Sequence, residues 1–331
     1  MIVPLVRVLG RGFSPGGRHG RLSVLIYHQI LAEPDSLRPD ALEVRRFVWQ
    51  MEALASCFTV LPLAEAIERL SNGDLPPRAV CITFDDGYAD NVQVALPVLE
   101  RIGLPATFFI ATGYLDGGMM WNDEIIEAVR AAPAPTLDLR DIGFNLLPVT
   151  NIGERLRAVT MLIDRLKYLS AEERAHGVAA VVAGAAGTAP DGLMMCSEDV
   201  RHLVSRGMAV GAHTHTHPIL RNLSLKQASR EIGESRARLA EITGSPVKFF
   251  AFPNGKPGGD YDARHVVLLR EMGFTACFST AWGVATRACD RMQIPRFTPW
   301  DATPARFALR LLYNCMRTRP QVARMENSTI G

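Results

Sequence analysis

The chain lacks any run of about 18 apolar residues, so no membrane-crossing helix is expected. Its six cysteines (Cys57, Cys81, Cys196, Cys277, Cys289 and Cys315) include no C-x-x-C pair. Cys81 and Cys277 sit inside apolar, strand-like runs, which favours buried, reduced thiols over a disulfide framework. The opening MIVPLVRVLG lacks the marks of a signal peptide: Pro4 and Arg7 break its apolar stretch, no positive region precedes it and no cleavage site is evident. We therefore expect a cytoplasmic protein, free or peripheral to the inner membrane. A strong excess of either charge is also missing. The formal net charge is +2, so nucleic acid is not an expected partner. Acids are absent from residues 1–21, which carry Arg7, Arg11, Arg18 and Arg21, and the tail carries Arg306, Arg310, Arg317, Arg319 and Arg324. Basic solvated ends are the plain explanation, and contact with anionic lipid or polymer is the sharper one. No internal repeat is evident, and only the last ten residues look disordered.

What is present fits a globular protein with a sizeable core: 331 residues, 48% of them hydrophobic and 21% charged. One joint recurs, helix to glycine to strand. It appears at RIG-LPATFFIA, SRG-MAVGAH, ITG-SPVKFFAF and EMG-FTACFS, with Gly103, Gly207, Gly244 and Gly273 just past the helical stretches. Ser224 with Gln227, and Ser170 with Glu173, match the capping box that opens a helix. Strands are expected at 23–27, 58–61, 79–84, 106–111, 208–212, 248–252, 274–279 and 292–297. Strands alternating with helices imply a parallel sheet clothed in helices, and eight of them favour a (β/α) barrel over an open sheet. Residues 120–196 break the rhythm, with APAP at 132–135 and VAAVVAGAAG at 178–187, and are expected to be two or three inserted helices. The expected organisation is a basic extension over 1–22, a barrel over 23–300 carrying that insertion, and a C-terminal helix and basic tail over 301–331.

Two stretches carry chemistry. ITFDDGYAD, residues 82–90, ends a buried-looking strand with adjacent carboxylates, Asp85 and Asp86. Functional groups collect at the carboxyl ends of parallel strands. Helix capping is the bland alternative, but Asp90, just before NVQVALPVLERI, suits that role better. VGAHTHTHP, residues 210–218, places His213, His215 and His217 at another strand end. Imidazole and carboxylate are suitable ligands for Zn²⁺ and similar divalent ions, and three protein ligands leave positions open for water and substrate. Spacing does not say which two histidines bind.

TFDDG at 83–87, H-T-x-x-H at 213–217 and FAFPNG at 250–255 resemble the three motifs of the polysaccharide deacetylases, over roughly residues 23–300. The resemblance implies a distorted (β/α)7 barrel and hydrolysis of N-acetyl groups on N-acetylhexosamine residues, in a polysaccharide or its lipid-linked precursor. It implies that Asp86, His213 and His217 hold a divalent metal, with Zn²⁺ ahead of Co, Ni, Fe and Mn. It implies that Asp85 is the general base and the Asn254 backbone N–H an oxyanion donor. Thr214 would brace the histidine loop and His215 would point elsewhere. Pro253, Trp282, Trp121 and Asp123 are candidate substrate contacts, the tryptophans as apolar walls. For Asp123, helix capping is the competing role. The partner implied is an N-acetylated glycan, with a membrane surface or a synthase as further candidates. Two positions depart from the family pattern. Ala251 stands where an arginine usually orients the base, and no histidine follows His265 to serve as the acid. Arg296, in QIPRFTPW, is the candidate replacement for the first. His28, in SVLIYHQI, is the candidate for the second, and an early Y-H resembles the poly-N-acetylglucosamine deacetylase branch. A deformylase or other small-amide hydrolase, and a catalytically weak sugar-binding barrel, are the alternative functions.

Overall fold

The computed structural model describes residues 12–133, 135–185 and 192–325. Arg7, Arg11 and the end of the alanine-rich stretch lie outside them, as do the last six residues. Two compact units divide the chain. One takes the residues up to 32, 42–115 and from 195 onward, and the other takes 33–41 and 116–194.

The first unit is a distorted (β/α) barrel. Its seven strands are β1 (Ser23–Tyr27), β2 (Thr59–Val60), β3 (Ala79–Phe84), β4 (Thr107–Ile110), β5 (Ala209–Ala212), β6 (Phe249–Ala251) and β7 (Ala276–Phe278). All pair in parallel: β3 lies between β1 and β4, with β2 along its start, and the ladder continues through β5 and β6 to β7. The expected eighth strand, 292–297, is not a regular one. Arg291–Gln293 is a 3₁₀ turn, and Pro295 supplies no N–H to a ladder. The segment still closes the ring through single bridges. Ile294 donates to Cys277 O (2.8 Å) and Ser279 donates to Ile294 O (2.9 Å) on the β7 side. Phe297 donates to Val24 O (2.8 Å) and Ile26 donates to Phe297 O (3.0 Å) on the β1 side.

Side chains alternate along each strand, so each residue faces either the barrel interior or the surrounding helices. Val24, Cys81, Phe109, Ala251, Ala276 and Phe278 share one buried cluster drawn from the strands around the ring. Leu25, Tyr27, Val80, Ile82, Phe84 and Phe108 pack outward on the helix Val44–Cys57 through Phe47, Met51 and Leu54. Tyr27, Phe84 and Phe108 stack in that layer, with centroids 5.4 and 4.7 Å apart. Thr83 and Asp85 continue the inward series of Ala79 and Cys81. Gly211 allows the Phe109 ring its inward place, because a Cβ there would lie 2.5 Å from the ring. The helix-ending glycines take the left-handed conformation, Gly103 with φ 75° and Gly244 with φ 65°. Both capping boxes form. Asp90 does not cap the next helix. It is itself helical, its carboxylate accepts from the Asn91 amide, and Asn91–Ala95 is a π-turn. All six cysteines are free, and burial pushes the Cys81 and Cys277 thiols up. Among the described residues no helix is long and apolar enough to cross a membrane.

The second unit has its own core, built on the helices Trp121–Ala131, Ile152–Leu166 and Ala171–Ala185. It also holds an antiparallel hairpin, Thr136–Asp138 with Leu146–Pro148, which three-residue strands do not announce in sequence. Residues 33–41 join it through Arg38, whose guanidinium reaches Asp35 (3.0 Å), Asp123 (2.9 Å) and Glu127 (2.7 Å).

Candidate metal centre and active site

Four strand ends deliver the site. β3 ends at Phe84 and leads into Asp85 and Asp86. β5 ends at Ala212 and leads into His213. β6 ends at Ala251, before Phe252–Asn254, and β1 ends at Tyr27, before His28. Backbone strain collects here. Six non-glycine residues among those described have positive φ, and four of them are Asp86 (77°), Thr214 (64°), His217 (52°) and Asn254 (54°). A β-branched residue such as Thr214 resists this conformation, so the surrounding structure must impose it.

Asp86, His213 and His217 bring one ligand atom each to a common point. Asp86 Oδ1 lies 3.4 Å from His213 Nε2 and 3.4 Å from His217 Nε2, and the two ring nitrogens are 3.1 Å apart. His213 Nδ1 is 2.8 Å from Ala251 O. A carbonyl only accepts, so Nδ1 carries the proton and Nε2 of the neutral ring is bare. Asp86 Oδ1 is buried and has no hydrogen-bond partner. One proton on His217 would satisfy only one of the two acceptors it faces. A divalent cation satisfies all three atoms, and ligands at the usual Zn–N and Zn–O distances sit roughly 3.3 Å apart in a tetrahedron. The residues therefore fit such an ion. His215 is not in the cluster. Its Nδ1 meets Thr112 Oγ1 at 3.0 Å, and its N–H donates to Glu231 Oε2.

Asp85 is buried beside this cluster, with Oδ2 3.8 Å from His213 Nε2. Arg296 grips it with two parallel hydrogen bonds, Nη1 to Oδ1 and Nη2 to Oδ2, both 2.7 Å. The guanidinium is held in turn by Ser279 O (3.1 Å) and Thr83 Oγ1 (3.3 Å), over the Phe109 ring. Burial works against charge on Asp85, but Arg296 and His213 outweigh it and hold the carboxyl below its ordinary value. Burial likewise opposes charge on Asp86, and His213 and His217 overcome it. Burial pulls His217 down to about 4, which favours the neutral, ligating ring. His213 is drawn up by Asp85 and Asp86 against its burial, and a cation would replace the proton they attract.

His28 is exposed and directly follows Tyr27, the last residue of β1. Pro253 is buried, and its carbonyl accepts from Gly255 N–H in the turn that carries Asn254. Thr280 Oγ1 pins Asn254 O at 2.7 Å. Trp282 is half-buried and packs against Phe297 and Trp300. Trp121 and Asp123 belong to the second unit. Trp121 packs on that unit's core beneath Arg174. Asp123 is buried, and its Oδ1 accepts from Arg38 Nη2 at 2.9 Å. It does not occupy the cap position of its helix, whose N-cap is Met120. The sequence did not reveal Glu231, on the helix Leu225–Thr243, which accepts the N–H groups of His215 (3.0 Å) and Thr216 (2.8 Å) and the Thr216 hydroxyl (2.7 Å). No spacing rule links a helix carboxylate to a loop so far ahead of it.

The family model for polysaccharide deacetylase matches residues 72–134 and 162–277. The chain belongs to this family. YxkH of Bacillus subtilis (strain 168), named as a polysaccharide deacetylase, is 37% identical over 92 residues. That match covers 27% of this chain and 32% of that protein, so the chain spans about a third of the relative's length. Among solved structures, the Streptococcus pyogenes deacetylase PplD in complex with acetate superposes with a TM-score of 0.60 at 18% identity, covering 90% of this chain and 99% of that one. IcaB from Ammonifex degensii gives a TM-score of 0.57 at 20% identity, covering 91% and 98%. At these identities the two share the fold with this chain, a parallel barrel of the deacetylase type.

Proposed function

We propose that the protein is a metal-dependent carbohydrate N-deacetylase that releases acetate from N-acetylhexosamine residues of a glycan. The observation that carries this reading is the pairing of a three-ligand cluster with a separate, arginine-clamped carboxylate 3.8 Å away. A site that only bound metal or sugar would have no use for a second buried carboxylate held ionised beside it. A divalent ion, with Zn²⁺ the best fit to the donor set, would be held by Asp86, His213 and His217. When bound it would lower the pKa of a water and polarise the acetamido carbonyl.

Asp85 accepts a proton from the water that adds to the amide carbon. Arg296 keeps Asp85 ionised and aimed, and supplies from the barrel's closing segment the guanidinium missing at Ala251. The Ala251 carbonyl fixes the His213 tautomer, a task its backbone performs whatever the side chain. The Asn254 N–H stabilises the oxyanion. His28 donates the proton that lets the amine leave as the C–N bond breaks, so the products are acetate and a free amino sugar. The Y-H at the end of β1 supports kinship with the poly-N-acetylglucosamine deacetylases. Acyl-group profiling tests the reading against the deformylase alternative. N-acetylglucosamine oligomers should be turned over in preference to N-formyl analogues, and a clear preference for formyl would refute it.

A further inference from the structure

The barrel unit carries a groove of about 540 Å³, lined by Trp282, Met316, Arg317, Thr318, Arg319 and Gln321. The groove belongs to the same unit as the site, and Ala281, whose carbonyl accepts from Arg296 N at 3.1 Å, leads into Trp282. Its aromatic wall extends outward. Trp282 lies 5.0 Å from Trp300, which is 49% exposed. The Arg317 guanidinium lies over both Trp282 (5.5 Å) and Tyr313 (5.6 Å). Charge here is of one sign. Residues 302–325 contain no Asp or Glu. Arg310 is committed to buried Asp301 at 3.0 Å, but among the described residues no carboxylate pairs with Arg317 or Arg319.

We propose that this groove is a secondary binding site for a carboxylate-bearing sugar, so that the glycan the protein acts on carries uronic acid residues. The inference rests on the deacetylase reading and narrows its substrate class. Flat aromatic faces suit the apolar faces of sugar rings. Arg317 and Arg319 are both exposed, and the planar guanidinium fork matches a carboxylate's two oxygens. Stacking on Trp282 and Tyr313 holds the Arg317 fork in place before any ligand arrives, so less ordering is lost on binding.

The test is isothermal titration of the whole protein with three probes: a galacturonic acid pentamer, an N-acetylglucosamine pentamer and phosphatidylglycerol vesicles. It reads binding without turnover, so an enzyme that releases no acetate would sink the deacetylase reading while the groove is still judged on its own. The acidic pentamer should bind more tightly than the neutral one, and its affinity should fall as salt is raised. The Arg317→Gln/Arg319→Gln variant, altered only at exposed positions, should weaken the acidic pentamer about tenfold, the loss of one charge-assisted contact. The neutral pentamer should change less than twofold. Equal affinity for both pentamers, or a variant that loses vesicle binding while keeping the acidic sugar, would overturn the proposal.

Discussion

Arg296→Met removes one half of an ion pair whose partners are both buried, with side-chain exposures of 0% and 3%. The substitution leaves Asp85 in the barrel with its strongest partner gone. Breaking a buried pair from one side typically costs about 3–5 kcal/mol. For a unit of this size that corresponds to a fall in melting temperature on the order of 6–15 °C. The pH dependence has a definite sign. In the wild type Asp85 titrates below its ordinary value, so the pair stabilises the fold above about pH 4 and loses that effect as the pH drops through the lower folded value. In Arg296→Met burial is opposed only by the neighbouring histidines, and the folded value rises. The deficit should therefore widen as pH climbs from about 4 to 7 and be smallest in acid. The assay is thermal melting of chelator-treated protein across that range, so that a bound cation does not stand in for the arginine. The double variant Asp85→Asn/Arg296→Met should recover most of the loss, because no unpaired charge remains. A melting temperature within about 1 °C of wild type for Arg296→Met, or strictly additive single and double variants, would refute the reasoning.

Three further outcomes are expected. His213→Ala and His217→Ala should each strip the metal while His215→Ala retains it, as read by metal analysis of the purified proteins. The reverse pattern for 215 and 217 would redraw the ligand set. Glu231→Gln loosens the loop between the two histidine ligands, at His215 and Thr216, and should weaken metal binding by about tenfold, which a competition titration against a chromophoric chelator measures. His28→Ala should keep its metal and slow acetamide hydrolysis by on the order of 10²–10³, yet spare an activated substrate whose leaving group needs no proton. Equal loss on both substrates would remove His28 from the acid role.

Much of the frame was legible because it depends on local signals. The glycines after helices, the capping boxes and the apolar runs marked strand and helix, and seven of the eight expected strands form. The eighth illustrates the limit. Pro295 denies the segment a regular ladder, yet its neighbours still close the ring, and only the three-dimensional path shows which strand ends they join. Asp85, Asp86 and the histidines were visible as paired motifs at strand ends, and the choice of His213 and His217 came from resemblance before geometry set His215 apart. Arg296 could be named as a replacement, but nothing in QIPRFTPW says that its guanidinium turns inward onto Asp85. Glu231 and Arg38 were not visible at all. Each acts across a long stretch of chain, on a partner that sequence spacing does not specify.

The central claim is that a cation held by Asp86, His213 and His217, with Asp85 beside it, hydrolyses a sugar acetamide. The most direct test is acetate release from N-acetylglucosamine oligomers, measured against metal content for the protein as purified, after chelation and after restoring Zn²⁺, with Asp85→Asn alongside. Turnover should track about one ion per chain, vanish on chelation and return with metal. Asp85→Asn should bind the ion normally and be slower by on the order of 10²–10⁴. Full acetate release from chelated protein, or wild-type turnover by Asp85→Asn, would contradict it.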